Sequence, residues 1–412
     1  MELTKGVPIP LHRNRNFQLL WLGSASAMVG SEVADVAYPL IILGGTGSPG
    51  WAGLFGATQL VSALLCGLPA GELLDRTSSR RILVLAESIR LIATATVAIA
   101  AATGRLSAIH LLLVAVVLGA AQPFASGARM VGVRLAVEES QLTRALTQEE
   151  VRSATAGLVG PPLGGYLYGL ARAFPFAVTA VLFLLSWLSA LLLRLPGSAE
   201  QCSDPRPAST RRRHRLFEGV TTVWRDRTLR GTVMLVTALN TVGAPLTLIT
   251  VVLLRQQNAA PWAIGTSMAA LAAGGLAGAT LVASLHRLFR PGTLLLGLGA
   301  YEAAVLTVLP LGSGPVWVAA VLFCAMLGVP ALRVLVDVLI FRQVRPETRG
   351  RVIAGVMTLF TLGAPAGVAV SGLLLQHLSA RTGLFALAGV MTFTVLVALA
   401  DRELRHARWP TP

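Results

Sequence analysis

The chain has 412 residues, 54% of them hydrophobic and only 13% charged, and its mean hydropathy is +0.70. A soluble domain carries about 25% charged residues. This composition therefore excludes one and places the chain among polytopic membrane proteins, with length for about a dozen helices of ~20 residues. The net charge of +15 would suit a nucleic-acid partner, but the arginines are badly placed for one. They cluster between alternate hydrophobic runs, at Arg13 and Arg15, at Arg76, Arg80 and Arg81, at Arg287 and Arg290, at Arg342, Arg345, Arg349 and Arg351, and at Arg402, Arg405 and Arg408. The other connections carry Arg105, Arg172, Arg255 and Arg381 singly. That asymmetry is the positive-inside pattern, so both termini are expected in the cytoplasm.

In chain order, hydrophobic runs are predicted at about 17–43, 51–74, 82–103, 107–129, 152–171, 174–194, 229–254, 261–285, 293–311, 315–340, 352–378 and 382–400. Each is apolar all round and long enough to cross a bilayer with some tilt. Inside lipid the backbone must satisfy its own hydrogen bonds, so these runs are helices. The first is too long for the apolar core of a signal peptide and reads as a retained span. A stretch rich in Arg, Glu and Thr at 131–150 suggests an amphipathic helix along the cytoplasmic surface. The longest polar interval follows the sixth run and includes Arg211–Arg215. It predicts an N-terminal six-helix bundle over 1–194, a cytoplasmic linker over 195–228 and a C-terminal six-helix bundle over 229–412.

The halves look like copies. At a constant offset of 211 residues, Trp51 meets Trp262, Leu60 meets Leu271, Gly67 meets Gly278 and Arg76 meets Arg287. Parallel repeats about an axis along the membrane normal are one architecture of secondary transporters, with the substrate site between the halves.

A charge near the bilayer centre costs at least ~3 kcal/mol even on the lenient insertion scales. Charges inside the predicted spans therefore mark candidate sites. Glu32 and Asp35 are three residues apart and share a helix face near mid-membrane. Two such carboxyls are suited to holding a proton and releasing it as their surroundings change; the bland alternative is a structural hydrogen bond or exposure near the outer surface. Glu87 and Arg90 are also three apart, as a self-neutralised pair or as part of the site. Glu302 has no opposite charge within a turn. Arg333 and Asp337 look like a mutual pair. Cys66, Cys202 and Cys324 suggest no disulfide, the six histidines show no metal-ligand spacing, and nothing suggests a cofactor. The sequence contains no recognisable Ser/His/Asp set, nor a Walker loop for ATP-driven transport, so an enzyme is not expected.

Motifs narrow the reading. The segment "GELLDRTSSRR", Gly71 to Arg81, resembles the G-x-L-x-D-R-x-G-R-R signature of the major facilitator superfamily. Gly71, Leu73, Asp75, Arg76 and Arg80 match, while Ser78 and Ser79 replace a glycine and an arginine. "GPPLGG", Gly160 to Gly165, is similar to the G-P-x-x-G-G core associated with that superfamily's antiporters, through Gly160, Pro161, Gly164 and Gly165. "NRNFQLLWLG" and "VRPETRGRVIAGVMTL" resemble the branch containing the enterobactin exporter and the macrolide-efflux proteins. The chain departs from many drug–proton antiporters in the fourth span, where Ala115 and Leu118 stand in place of an arginine and a glutamine.

The resemblance implies an all-α fold of about twelve transmembrane helices in two six-helix bundles related by a pseudo-two-fold axis. It implies a cytoplasmic gate in which Gly71 permits close helix packing, Asp75 meets a helix N-terminus, Arg76 and Arg80 anchor lipid headgroups, and Arg129 assists. The expected function is export of small amphipathic molecules by proton antiport; the alternative is a proton-coupled importer of a nutrient or siderophore. The expected partners are a small-molecule substrate, protons and the lipid bilayer, with no nucleic acid. A monomer in a bacterial cytoplasmic membrane is expected.

Overall fold

The computed structural model describes residues 10–194, 227–343 and 346–400, and their side chains except those of 227–229, 337 and 339–359. Most of the predicted linker, with Cys202, and the side chain of Asp337 lie outside the described residues.

The chain is helical throughout its described length. The first half comprises α1 (Arg15–Thr46), α2 (Pro49–Arg76), α3 (Ser79–Ala102), α4 (Ala108–Ala136), α5 (Glu139–Leu170) and α6 (Phe174–Leu192). The second comprises α7 (Arg227–Gly243), α8 (Leu246–Gln256), α9 (Pro261–Leu288), α10 (Pro291–Val308), a 3-10 turn (Leu309–Leu311), α11 (Pro315–Leu327), α12 (Val329–Gln343), α13 (Pro346–His377) and α14 (Ala380–Ala400). Among the described residues ten stretches are long and apolar enough to cross a membrane. With α5 and α13, of 32 residues each, they make the twelve helices of a polytopic membrane fold.

Three features differ from expectation. The segment 131–150 is not a separate surface helix: α4 continues to Ala136, only Val137 and Glu138 are extended, and α5 begins at Glu139. Its polar residues belong to two spans that run on beyond their apolar parts. The seventh span is broken between α7 and α8 at Ala244 and Pro245. Proline has no N–H to donate and disfavours helical backbone in the residue before it. The tenth span is broken at Gly328, between α11 and α12.

The chain forms two compact units: Met1–Ile41 with Thr58–Pro205, and Ile42–Ala57 with Arg206–Pro412. In the first, α3 packs along α4 and α6. α1 is held by two neighbours through small residues. Against α6, Gly30 faces Thr179, whose hydroxyl donates to the Gly30 carbonyl at 3.2 Å. Against α5, Gly160 and Gly164 lie on Glu32 and Val33, and Tyr168 donates to the Leu40 carbonyl at 3.0 Å. Without a hydrophobic drive between helices in lipid, close backbone approach of this kind is a main source of cohesion. The second unit uses the same device. Gly274 and Gly278 of α9 rest on the Phe323 and Leu327 carbonyls of α11, and Gly363 and Gly367 of α13 rest on Thr237 and Thr241 of α7. In that unit Gly53 also meets Gly372 of α13 backbone to backbone, beside a Gln376-to-Ser48 hydrogen bond of 2.9 Å.

Candidate functional site

Glu32 and Asp35 line one cavity of about 360 Å³ inside the first unit. α1 turns its Ser31–Asp35 segment towards it, and α4 and α5 supply the facing walls through Gln122, Ser126, Glu149 and Ser153. Asp35 is exposed to this space and Glu32 is half-buried. Neither carboxylate is in an ion pair or side-chain hydrogen bond among the described residues. The shared face expected from their spacing is therefore a shared cavity wall.

The glycine motif of α5 sets where that wall stands. A Cβ at Gly160 would collide with the Glu32 side chain, and one at Gly164 would lie 2.6 Å from the Val33 carbonyl oxygen. Gly160, Pro161, Gly164 and Gly165 are all buried. The motif thus forms a flat strip against which α1 seats the two residues that place Glu32.

Below the cavity the charges are neutralised. Glu87 is fully buried and accepts from two arginines, Arg90 of its own helix at 3.3 Å and Arg129 of α4. Arg90 also donates to Ser31 at 2.8 Å and lies 4.2 Å from the centre of the Phe183 ring. Arg129 reaches Ser186 at 3.4 Å. Glu87 and Arg90 are therefore not a closed pair but part of a three-residue cluster, and Arg90 and Arg129 both border the cavity. Arg129, expected from the sequence to assist the gate at Asp75, forms an ion pair with Glu87. The two residues are separated by 42 positions, a distance that helix periodicity cannot bridge.

A second cluster escaped sequence reading. Glu149 pairs with Arg152 one turn on and accepts from Ser24 at 3.0 Å, while Arg152 donates to the Trp21 carbonyl at 3.3 Å and lies over the Trp21 ring. Arg152 is 7% exposed. The acid–base spacing of three was visible, but assigning 131–150 to a surface helix hid that the pair faces α1.

The expected gate residues lie at the end of α2 and the start of α3. Asp75 is exposed. Arg76 pairs with Glu72 at 2.6 Å, both side chains being exposed. Arg80 donates to the Leu191 carbonyl at 2.6 Å, which satisfies a free carbonyl at the end of α6 where the helix dipole favours a cation. Gly71 does not serve close packing here: a Cβ on it would meet nothing within 4 Å among the described residues. Ala115 and Leu118, at the positions of the arginine and glutamine of other antiporters, are buried apolar residues of α4.

In the second unit Glu302 of α10 is 5% exposed, and its Oε1 has no hydrogen-bond partner among the described residues. A recess of about 740 Å³ runs along α7 and α14, lined by apolar side chains and threonines with Arg230 among them. It holds no carboxylate, whereas the smaller cavity of the first unit is lined by three, Glu32, Asp35 and Glu149. No group of His, Cys, Asp and Glu able to hold a metal occurs among the described residues.

The comparisons with known proteins agree with this architecture. The Major Facilitator Superfamily model matches residues 20–334. The multidrug efflux pump Tap of Mycobacterium tuberculosis strain H37Rv is 27% identical over 402 residues, covering 94% of each chain, and Tap of Mycobacterium bovis BCG is similar to the same extent. Among solved structures, the nucleoside transporter NupG superposes with a TM-score of 0.73 at 13% identity, covering 94% of this chain and 98% of NupG. A bacterial homologue of the lysosomal transporter Spinster, inward-facing and unoccupied, gives 0.73 at 17% identity, covering 97% and 99%. With its twelve spanning helices and a family model matched over most of its length, the chain belongs to the major facilitator superfamily.

Proposed function

We propose that this transporter exports small amphipathic molecules from the cell in exchange for protons, by alternating access. The observation that carries the reading is the pair of carboxyls without ion-pair partners among the described residues, Glu32 and Asp35, on a cavity of about 360 Å³. A carboxylate in such a cavity attracts a neutral or cationic amphipathic molecule and loses that attraction on protonation. Proton arrival from outside then releases substrate, and proton loss to the cytoplasm prepares the next cycle. The nearby Glu87–Arg90–Arg129 cluster holds its charge in place and tunes the two carboxyls by proximity. The similarity to a multidrug efflux pump over nearly the whole chain supports the outward direction and a broad substrate range. Asp75, Arg76 and Arg80 act at the cytoplasmic gate in this reading. The protein works as a monomer in the cytoplasmic membrane with both termini inside the cell, consistent with the arginine distribution.

The test uses everted membrane vesicles holding an inside-acid pH gradient. Adding a transported compound is expected to discharge the gradient and to load that compound into the vesicles. Accumulation by intact cells with no discharge in everted vesicles would overturn the export reading.

A further inference from the structure

The two halves treat a buried carboxylate on their third spans differently. In the first, Glu87 of α3 is neutralised by Arg90 and Arg129. In the second, Glu302 of α10 is comparably buried but Oε1 has neither ion pair nor hydrogen bond among the described residues. A buried ionised carboxylate without partners is costly, and such groups neutralise instead. With no cation paired to it among the described residues, the remaining way to neutrality is a proton.

The surroundings of Glu302 suit a protonated acid. Its Oε1 lies beside Gly328, where a Cβ would stand 3.6 Å from it. Gly328 is the break between α11 and α12. Pro330, the second residue of α12, has no N–H, so the Met326 carbonyl four residues earlier lacks its helical donor. A carboxyl hydroxyl can supply the missing one. The neighbouring Tyr301 already does this kind of work: its hydroxyl donates to the Cys324 carbonyl of α11 at 2.7 Å. Among the described side chains, none forms an ion pair with Glu302. Beside it the titratable groups are Tyr301 and the Cys324 thiol. Among the described side chains, the elements packed on α10 carry charge or histidine only at Arg230 of α7, His286 and Arg287 of α9, Arg333 of α12 and Arg381 of α14. None of them pairs with Glu302. The 3-10 turn and α11 carry no ionised side chain.

We propose that Glu302 is a second proton-binding site, held as the neutral acid and donating its proton to a main-chain carbonyl at the α11–α12 break. When the break opens, water reaches the carboxyl, the O–H bond breaks and the proton leaves to that water. Ionisation of Glu302 and straightening or bending of the tenth span are then one event. The proposal rests on the membrane-spanning fold and not on the direction of transport.

Infrared difference spectra between neutral and alkaline pH, recorded on the purified protein in lipid nanodiscs, test it. The wild type and the Glu32→Gln, Asp35→Asn double variant should both lose a protonated-carboxyl stretching band on alkalinisation. Glu302→Gln should lack that band, and Glu302→Asp should shift it. An unchanged band in Glu302→Gln overturns the proposal. So does failure of Glu302→Gln to fold, because glutamine replaces a neutral acid with its donor and acceptor retained. Loss of export in the double variant with the Glu302 band intact would concern the transport reading alone.

Discussion

Gly164→Ala probes whether the α5 glycines exist to seat α1. The added Cβ would lie 2.6 Å from the Val33 carbonyl oxygen, 3.1 Å from Val33 Cα and 3.2 Å from its carbonyl carbon. A relaxed carbon–oxygen approach is about 3.3–3.6 Å, so the helices must part by about 0.7 Å or more. Both partners are backbone and cannot rotate away. Overpacking of this kind costs about 1–3 kcal/mol. The same separation moves Glu32, one residue from Val33, relative to the walls on α4 and α5. The expected result is a lower melting temperature in detergent together with reduced substrate-driven proton movement. Gly71→Ala, at a position where a Cβ meets nothing within 4 Å among the described residues, should leave the melting temperature unchanged. A Gly164→Ala protein as stable and active as the parent would refute the packing argument.

Glu87→Gln should destabilise the first unit by about 3–5 kcal/mol, because buried Arg90 and half-buried Arg129 lose their shared counter-charge; thermal unfolding measures it. Replacing Glu87, Arg90 and Arg129 together by apolar residues of similar size should restore most of that stability. Arg80→Ala should cost only about 0.3–1 kcal/mol, the worth of a cation at a helix C-terminus, by the same assay. Arg76→Ala should be nearly neutral to stability, since exposed pairs contribute about 0–1 kcal/mol; a large loss would mean that Arg76 has a partner beyond Glu72.

The fold was largely legible because lipid imposes a simple rule: a span needs about twenty apolar residues, and no backbone polar group can go unsatisfied. That rule located the spans. It could not locate breaks within them. Pro245 and the Gly328–Pro330 pair were visible residues, but hydropathy averages over them. At the site, local spacing sufficed for Glu32 with Asp35, since one turn of helix fixes a common face. It failed for Arg129 with Glu87, for Ser24 with Glu149 and for Glu32 with Gly160. Those contacts join separate helices and depend on how the spans are arranged. The motif at Gly160–Gly165 gave the closest approach to a long-range contact, because small residues announce that something must come near; they do not say what. At Gly71 a Cβ would meet nothing within 4 Å among the described residues, so a small residue alone does not locate a contact.

The account stands most directly on Glu32 and Asp35. Reconstituted in proteoliposomes with an internal pH reporter, the parent should move protons when a transported compound is added. The Glu32→Gln, Asp35→Asn double variant should bind or leak the compound without moving protons. Full substrate-driven proton flux in that variant would contradict the account.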